Sequence, residues 1–374
     1  MTKFLRRTWA EIDTDALVHN FNIIKETTNA KVCAVVKADA YGHCVDIVAP
    51  LLQKAGADFF AVSNIEEAIE LRNLCITKPI LILGYTPCEF VNELNKYDVS
   101  QCVYSLDYAQ ELAAKAVEQN LNIKTHIKLD TGMSRIGFDC RDDNLNGIDD
   151  AVKSSKLDGL SVEGVFTHFA VSDRNAAQED GFTDEQYNRF STALNILKDN
   201  GINPEYKHCC NSAALCQDTN KHLNMCRAGI ILYGLTPSAE LELPQDFKPV
   251  MSFKSVVSQV KIIRCGDTVS YGRTFTAPKD MVIATISAGY ADGYSRLLSN
   301  KASVVINGCR ASIIGRVCMD QFCVDITDID NISVGDTVEI FGKNISVDVV
   351  ADIAQTINYE IVCGITRRVP RVVV

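Results

Sequence analysis

The sequence lacks any long apolar segment. No stretch approaches the roughly 18 consecutive apolar residues that a membrane-spanning helix needs. The first ten residues, MTKFLRRTWA, carry charges but no apolar core of the kind that a secretory signal requires. We therefore expect a cytoplasmic protein with no membrane partner.

Positive charge is also in short supply. Lysine and arginine number 37 against 47 aspartates and glutamates, so the formal net charge is −10. A protein that binds the phosphate backbone of nucleic acid needs an excess of basic residues. Nucleic acid is therefore excluded as an expected partner.

The chain has 15 cysteines, but it lacks the Cys-x-x-Cys spacing that zinc and redox motifs use. No two of them form a Cys-x-x-Cys pair, and the adjacent Cys209 and Cys210 suit neither a zinc knuckle nor a redox motif. Most lie among apolar residues, where a thiol behaves as a small hydrophobic side chain. We expect reduced cysteines and no metal site.

The pattern of apolar residues indicates an α/β fold in two parts. Residues 1–240 alternate short apolar runs with amphipathic stretches, and eight alternating units are the number in a (β/α)8 TIM barrel. Residues 241–374 are rich in valine, isoleucine and threonine broken by turn signals, which predicts a mostly β C-terminal domain. The predicted barrel strands are Val32–Val36, Phe59–Val62, Ile80–Leu83, Cys102–Tyr104, Lys124–Leu129, Glu163–Thr167, Tyr206–Cys209 and Ile230–Tyr233.

Lys37 is the first candidate for chemistry, because it directly follows the apolar run Val32–Val36. A desolvated lysine at the carboxyl end of a buried strand loses its proton readily and becomes an amine nucleophile. A lysine taken alone would more often extend its ammonium group out of a strand end. Other candidate residues, most of them polar, favour the chemical interpretation. They too fall near the ends of predicted strands, where a barrel has its active site. They are Tyr41, Lys128, Arg135, His168, Asn211, Ser212, Arg227, Gly229 and Ile230.

These residues suggest a bound cofactor. The hydroxyl groups of Tyr41 and Ser212 and the backbone around Gly229 would donate hydrogen bonds to a phosphate. An arginine is suited to bind a carboxylate or to donate a hydrogen bond to a ring nitrogen. Taken alone, Arg135 and Arg227 would more often form surface ion pairs, and His168 would more often be a histidine of the core. Together with an amine nucleophile, this set suggests pyridoxal phosphate held covalently by a lysine.

Three further motifs lie in the second part of the chain. They are the segments Thr268–Phe275, Ser287–Tyr294 and Gly315–Asp320. The first of them contains the tripeptide Ser-Tyr-Gly. Tyr271 precedes a glycine and could present its hydroxyl group to a site, or it could anchor a turn.

With these motifs, the chain resembles the bacterial alanine racemases of the pyridoxal-phosphate type nearly from end to end. The lysine motif AVVKADAYGH and the Ser-Tyr-Gly segment carry the resemblance. It implies an isomerase with an N-terminal barrel, a C-terminal β domain and a head-to-tail homodimer with shared sites. The implied role is to supply D-alanine for peptidoglycan.

The resemblance also implies individual roles. Lys37 would hold the cofactor and act as one base, and Tyr271 would be the other base on the opposite face. Arg227 would donate a hydrogen bond to the ring nitrogen of the cofactor, and His168 would lie between Tyr271 and Arg227. Lys128 would be a candidate for carbamylation, and the carbamate would orient Arg135. The contacts to the cofactor phosphate would come from Tyr41, Ser212, Gly229, Ile230 and Tyr359, and Asn211 would also lie near the cofactor. The residues that bind the substrate would be Arg135, Met319, Tyr271 and Tyr290.

One departure from the family motif is visible, because Cys44 stands where the motif usually ends in glycine. We expect a local backbone adjustment there and no change in chemistry. Three alternatives remain on sequence grounds: a racemase of the same fold for serine or another amino acid, a non-catalytic pyridoxal-phosphate carrier, and a barrel decarboxylase. The absence of a membrane domain disfavours the serine enzyme, and the β domain with Tyr271 disfavours the carrier.

Overall fold

The computed structural model describes residues 7–174, 180–241, 243 and 246–374. These residues divide into two compact units. The first, called here the barrel unit, takes in residues 18–40 and 45–247. The second, called here the β unit, takes in the described residues up to 17, residues 41–44 and residues 248–374.

The barrel unit is built on eight parallel strands, as the sequence predicts. The backbone N–H of Arg227 donates to the carbonyl of Cys210 at 3.1 Å, which joins the two ends of the strand order into a ring. In their order around the barrel the strands are Met225–Ala228, Lys31–Val35, Phe59–Val62, Ile80–Ile82, Val99–Val103, Ile123–Asp130, Leu160–Phe166 and Tyr206–His208. A two-residue strand, Phe138–Asp139, pairs beside Ile123–Asp130.

Helices separate these strands along the chain, and side-chain caps fix where several of them begin. Asn64 accepts a hydrogen bond from the backbone N–H of Glu67, and Ser105 accepts one from Tyr108, so each satisfies an unpaired donor of a first turn. The helices are Thr14–Thr27, Val45–Ala55, Ile65–Asn73, Val91–Lys96, Leu106–Glu118, Ile148–Ser154, Phe182–Asp199 and Ser212–Gln217, with 3₁₀ turns at Cys88–Phe90, Thr219–Lys221 and Ile230–Tyr233.

The placement of the eighth strand differs from the sequence prediction. The eighth strand is Met225–Ala228, and the apolar run Ile230–Tyr233 is a buried 3₁₀ turn. A short apolar run fits a buried strand and a buried turn equally well, and here Gly234 at φ 71° ends the run. Lys128 lies within the strand Ile123–Asp130, in agreement with the predicted strand Lys124–Leu129.

The β unit contains an eight-stranded, mostly antiparallel sheet. One tight hairpin of this sheet turns at Asn307 and Gly308, which have φ values of 50° and 81°, so that Ile306 pairs with Cys309. In sheet order the strands are Met281–Ile286, Phe322–Asp325, Cys309–Ile314, Ser303–Ile306, Thr337–Phe341, Met251–Ile263, Thr8–Ile12 and Arg371–Val373.

Smaller elements complete the β unit. Thr268–Val269 and Phe275–Thr276 form a short hairpin, and the helices are Val347–Ala354 and Asn358–Cys363. The 3₁₀ turns lie at Tyr271–Arg273, Tyr290–Asp292 and Arg296–Leu298. No sequence signal indicates that the N-terminal strand Thr8–Ile12 pairs in this sheet. In the part of the chain that the structure describes, no helix has the length and apolar character needed to cross a bilayer.

Candidate active site

Lys37 stands where a buried strand meets an unusual turn. It follows Lys31–Val35, and the next four residues, Ala38 to Tyr41, all have φ of 53–54°. A left-handed turn of non-glycine residues costs roughly 1–2 kcal/mol per residue. Strain of this kind persists only where the surrounding structure imposes it, and it concentrates at functional sites.

Side chains of the barrel unit hold this turn in place. The carboxylate of Glu67 accepts from the backbone N–H of Ala38 at 2.7 Å and from that of Ser63 at 2.7 Å. Asp39 accepts from the N–H of Val45 at 2.7 Å. These contacts fix the direction in which Lys37 leaves its strand.

Arg227 is buried in the barrel interior, and both terminal nitrogens of its guanidinium group donate hydrogen bonds. One terminal nitrogen donates to Nδ1 of His208 at 2.7 Å and to the His208 carbonyl at 3.2 Å. The other donates to the carbonyls of Thr167 at 2.8 Å and Cys209 at 3.0 Å, and to Nδ1 of His168 at 3.2 Å. Its position is therefore set by five acceptors, and its burial lowers the pKa of the guanidinium group.

The hydrogen bonds of Arg227 determine the tautomers of three histidines. Because a guanidinium only donates, His208 accepts at Nδ1 and carries its proton on Nε2. That nitrogen lies 3.0 Å from Nδ1 of His126, so His126 accepts there and carries its own proton on Nε2, which faces Glu163 at 3.4 Å. The result is a directed chain from Arg227 through His208 and His126 to a carboxylate.

The pKa values agree with this chain. Burial, followed by the charge of Arg227, holds the pKa of His208 well below its usual range, and burial lowers that of His126. Burial opposes ionisation of Glu163, but the nearby His126 ring and the hydrogen bond from Ser100 outweigh it and lower the pKa of Glu163. Two neutral imidazoles thus connect a buried cation to an anion.

His168 is the end of this network on the other side of Arg227. It accepts at Nδ1, so its proton is on Nε2. Burial and then the charge of Arg227 hold its pKa well below the usual value, with further contributions from Lys128, Arg135 and Lys37. His168 is therefore a neutral hydrogen-bond donor within electrostatic range of all these candidate residues.

Lys128 is buried and close to two arginines. Burial, followed by the charge of Arg227, lowers the pKa of its amine to about 7, and Arg135 acts in the same direction. Its Nζ donates to the Leu129 carbonyl at 3.2 Å and lies 5.2 Å from the centre of the Phe166 ring. The amine is therefore partly neutral at physiological pH, and its surroundings favour negative charge.

Ser212, Gly229 and Ile230 come together beyond the strands Tyr206–His208 and Met225–Ala228. The N–H of Gly229 donates to the hydroxyl group of Ser212 at 2.9 Å, and Ile230 is the next residue. Asn211 accepts from the N–H of Ala214 at 3.1 Å and thereby caps the helix that Ser212 begins. The group offers hydroxyl and backbone donors of the type that bind a phosphate.

Tyr41 and Tyr359 meet in the β unit, with ring centres 6.0 Å apart. Burial raises the pKa of the Tyr41 hydroxyl group, which is therefore a neutral donor. Gly42, at φ 80°, packs so closely that a Cβ atom would lie 2.2 Å from the carbonyl oxygen of Val362. Cys44 adopts φ 73°, so its backbone keeps a conformation that glycine adopts without strain.

Tyr271 is 72% exposed and occupies a tight turn of the β unit. Ser270 and Gly272 on either side have φ values of 65° and 74°. The Ser270 hydroxyl group donates to the carbonyl of Arg316 at 2.7 Å and lies 3.2 Å from the sulfur of Cys318. These contacts fix the turn, so its tyrosine is presented outward.

The same loop, 316–319, also positions Tyr290 and Met319. The N–H of Tyr290 donates to the Cys318 carbonyl and that of Ala291 to the Met319 carbonyl, each at 3.0 Å. Gly289 makes this approach possible, because a Cβ atom there would lie 2.3 Å from both carbonyl oxygens. Tyr271, Tyr290 and Met319 are all exposed.

The sequence prediction missed His208, His126, Glu163 and Glu67. A signal existed for one of them, because His126 and Lys128 are two residues apart on a strand and therefore share its interior face. Gly164 leaves room for that histidine, since a Cβ atom there would lie 2.1 Å from its Nδ1. No local pattern indicates the role of Glu67, which depends on a contact between two separate loops.

Comparison with known proteins shows which family the chain resembles. Residues 12–237 match the family model for the alanine racemase N-terminal domain, and residues 250–373 match that for the C-terminal domain. Alanine racemase 1 of Clostridium acetobutylicum is 43% identical over 378 aligned residues, covering 100% of this chain and 96% of the relative.

Solved structures are similar over the same extent. Alanine racemase of Clostridium difficile 630 is 40% identical with a TM-score of 0.93, covering 100% of this chain and 97% of the other. A complex of that protein with cycloserine is 38% identical with a TM-score of 0.90. The match covers 99% of this chain and 96% of the other chain. Both domain models and full-length relatives lead to one conclusion: the chain belongs to the alanine racemase family.

Proposed function

We propose that the protein interconverts L-alanine and D-alanine with pyridoxal phosphate as cofactor, and that Lys37 and Tyr271 are its two bases. The observation that carries the proposal is the buried Arg227, which five hydrogen-bond acceptors hold in place. One of them is Nδ1 of His168, whose pKa the charge of Lys37 also helps to lower. Family membership supports the choice of alanine.

The residues of the barrel unit fit this cofactor. Lys37 supplies an amine for covalent attachment, Ser212 and Gly229 supply donors for a phosphate, and Arg227 supplies a donor for a ring nitrogen. When bound, pyridoxal phosphate draws electrons from the alpha carbon of the attached amino acid and makes its hydrogen acidic. Asn211 and Ile230 support the phosphate donors, and Tyr41 and Tyr359 are assigned to the phosphate as well.

Arg227 influences the outcome of the reaction because it keeps its proton. A guanidinium group donates a hydrogen bond to a ring nitrogen without protonating it, since arginine is not deprotonated in proteins. Electron withdrawal at the alpha carbon is then weaker than an acidic partner would permit. This favours prompt return of a proton to that carbon, which is racemisation, over transamination.

Two bases on opposite faces of the substrate are required to exchange its configuration. We assign one face to Lys37 and the other to Tyr271, each within hydrogen-bonding reach of the same carbon. Tyr271 is exposed on the β unit, so we propose that it completes the site of a second copy in a two-fold homodimer. Arg135, the Met319 backbone and Tyr290 would bind the substrate.

We also propose that Lys128 is carbamylated. The ammonium group first loses a proton, and the neutral amine then attacks carbon dioxide. A C–N bond forms as one C=O π bond of carbon dioxide opens to C–O⁻, and the nitrogen releases a second proton to solvent, so that a cation becomes an anion. A pKa of about 7 supplies the neutral amine, and two arginines favour the anion. The carbamate would then orient Arg135 for the substrate carboxylate.

The decisive assay measures formation of D-alanine from L-alanine by purified protein with added pyridoxal phosphate, with Lys37→Ala as the inactive control. Serine, lysine and arginine are tested in parallel, because a pocket rejects one added hydroxyl group only weakly. Faster turnover of another amino acid, or no turnover of alanine, would overturn the proposal. Rescue of a D-alanine-requiring bacterium by the gene tests the role in peptidoglycan supply.

A further inference from the structure

Three side chains of types that can bind a metal converge in the barrel unit, and none of them has a role in the proposed catalysis, although two directly precede Asn211 and Arg227 in the chain. They are Cys210, His222 and Cys226, and their ligand atoms all lie within 4.8 Å of one another. All three residues are buried. Among the described residues, no second group of three such side chains comes as close together.

We propose that Cys210, His222 and Cys226 form a binding site for Zn²⁺. Thiolate sulfur and imidazole nitrogen are the ligands that zinc prefers, whereas magnesium and calcium require oxygen. Zinc–sulfur bonds of about 2.3 Å place neighbouring ligand atoms in a tetrahedral site about 3.5–3.8 Å apart. Closing the cluster around an ion therefore needs side-chain movements on the order of 1 Å.

The surroundings of His222 resemble those of a metal-bound histidine. Its Nδ1 lies 2.8 Å from the hydroxyl oxygen of Thr28, and its Nε2 lies 3.0 Å from the Leu215 carbonyl oxygen. An ion would replace one of these two contacts. The other would remain and fix the orientation of the ring, as the outer partner of a metal-bound histidine usually does.

The 3₁₀ turn Thr219–Lys221 offers both a fourth ligand and an entry path. The Lys221 carbonyl oxygen lies 3.2 Å from the sulfur of Cys210 and 3.1 Å from that of Cys209. Thr219 and Asn220 are exposed, so this turn lies between the cluster and solvent. A small opening of the turn would admit an ion, and the carbonyl or a water molecule would complete four-coordination.

The fold creates this site although the sequence has no Cys-x-x-Cys pair. Cys210 lies just beyond the strand Tyr206–His208, and Cys226 lies within the neighbouring strand Met225–Ala228. An ion would therefore link the two strands at which the barrel closes. Cys226 precedes Arg227, whose N–H donates to the Cys210 carbonyl, so the ion would also brace the segment that carries this arginine.

The test measures zinc binding and does not depend on racemase activity. The exposed thiols of Cys75, Cys265, Cys309 and Cys363 are first alkylated in the folded, full-length protein. Zinc is then titrated against a competing chelator for the wild type, Cys210→Ser and Cys226→Ser. The matched controls are Cys216→Ser, which is nearby but outside the cluster, and Cys102→Ser, which is equally buried elsewhere in the barrel.

We expect one zinc ion per chain in the wild type and both controls, and an affinity at least roughly tenfold lower in Cys210→Ser and Cys226→Ser. X-ray absorption spectroscopy at the zinc edge should show two sulfur ligands in the wild type. This measurement does not depend on any variant. If a cysteine variant does not fold by circular dichroism, His222→Asn replaces it. Absence of stoichiometric binding, a shell without two sulfur ligands, or equal weakening in the controls would overturn the site.

Discussion

The barrel unit and the β unit hold their candidate residues in opposite ways. In the barrel, Arg227 is 3% exposed and five hydrogen-bond acceptors surround it. In the β unit, Tyr271 is 72% exposed and Met319 is 53% exposed, although the backbone beneath them is tightly fixed. A buried side chain is positioned before any ligand arrives, whereas an exposed one acquires its surroundings when something covers it. This difference fits the proposed function, in which the barrel would supply a preorganised half of the site and the β unit would supply the other half to a second copy.

The largest expected effect comes from removing one base from each unit. Lys37→Ala should abolish racemisation, and Tyr271→Phe should reduce it by about 10²–10⁴-fold, the usual contribution of a positioned acid or base. The rate of D-alanine formation measures both. Tyr85→Phe, another exposed tyrosine without a proposed role, is the control and should keep the wild-type rate. A Tyr271→Phe variant as active as that control would remove the β unit from the mechanism.

Arg227→Lys tests whether the barrel half is preorganised by hydrogen bonds. An ammonium group cannot reproduce the planar fork of a guanidinium, so several buried acceptors would lose their donors. We expect the free energy of unfolding to fall by about 3 kcal/mol, together with activity. Urea denaturation followed by circular dichroism measures the change. Arg141→Lys, in the exposed pair with Asp139, should change stability by less than about 1 kcal/mol, and equal losses in both variants would contradict the account.

Lys128 should make stability depend on pH in a predictable direction. Its pKa is about 7 in the folded chain and about 10.4 when unfolded, so the unfolded chain binds more protons between these values. Stability therefore rises with pH in that window, by up to roughly 2–3 kcal/mol between pH 7 and 9, and the dependence vanishes below it. The comparison is with Lys128→Met in carbonate-free buffer. Added bicarbonate should extend the dependence below pH 7, because the folded carbamate lacks the amine proton that the unfolded lysine keeps. Without bicarbonate, identical slopes for the wild type and Lys128→Met would contradict the buried amine.

The smallest effect concerns Cys44 in the β unit. Because its φ of 73° is unfavourable for any side chain, Cys44→Gly should raise the free energy of unfolding by roughly 0.5–1 kcal/mol. Cys44→Ala keeps a Cβ atom and should bring no such gain. Denaturant unfolding of the three proteins distinguishes these outcomes, and a loss of stability on introducing glycine would refute the strain.

Sequence patterns predicted the barrel, the β domain and the regions in which the candidate residues lie. Lys37 and Tyr271 could be selected as candidates because short, specific motifs surround them. Ile230–Tyr233 was assigned wrongly because local hydrophobicity does not distinguish a strand from a buried turn. The histidine chain behind Arg227 and the support of Glu67 join residues far apart in sequence, so only the folded chain brings them together.

The most direct test of the central claim is complementation between two inactive proteins. Lys37→Ala and Tyr271→Ala chains are co-expressed with different tags, and the mixed dimers are isolated by both tags. Each mixed dimer should contain one site with both bases and one with neither, so the rate per dimer should approach half that of the wild type. Mixed dimers that form in full yield and remain inactive would contradict the claim that Lys37 and Tyr271 of different chains build one site.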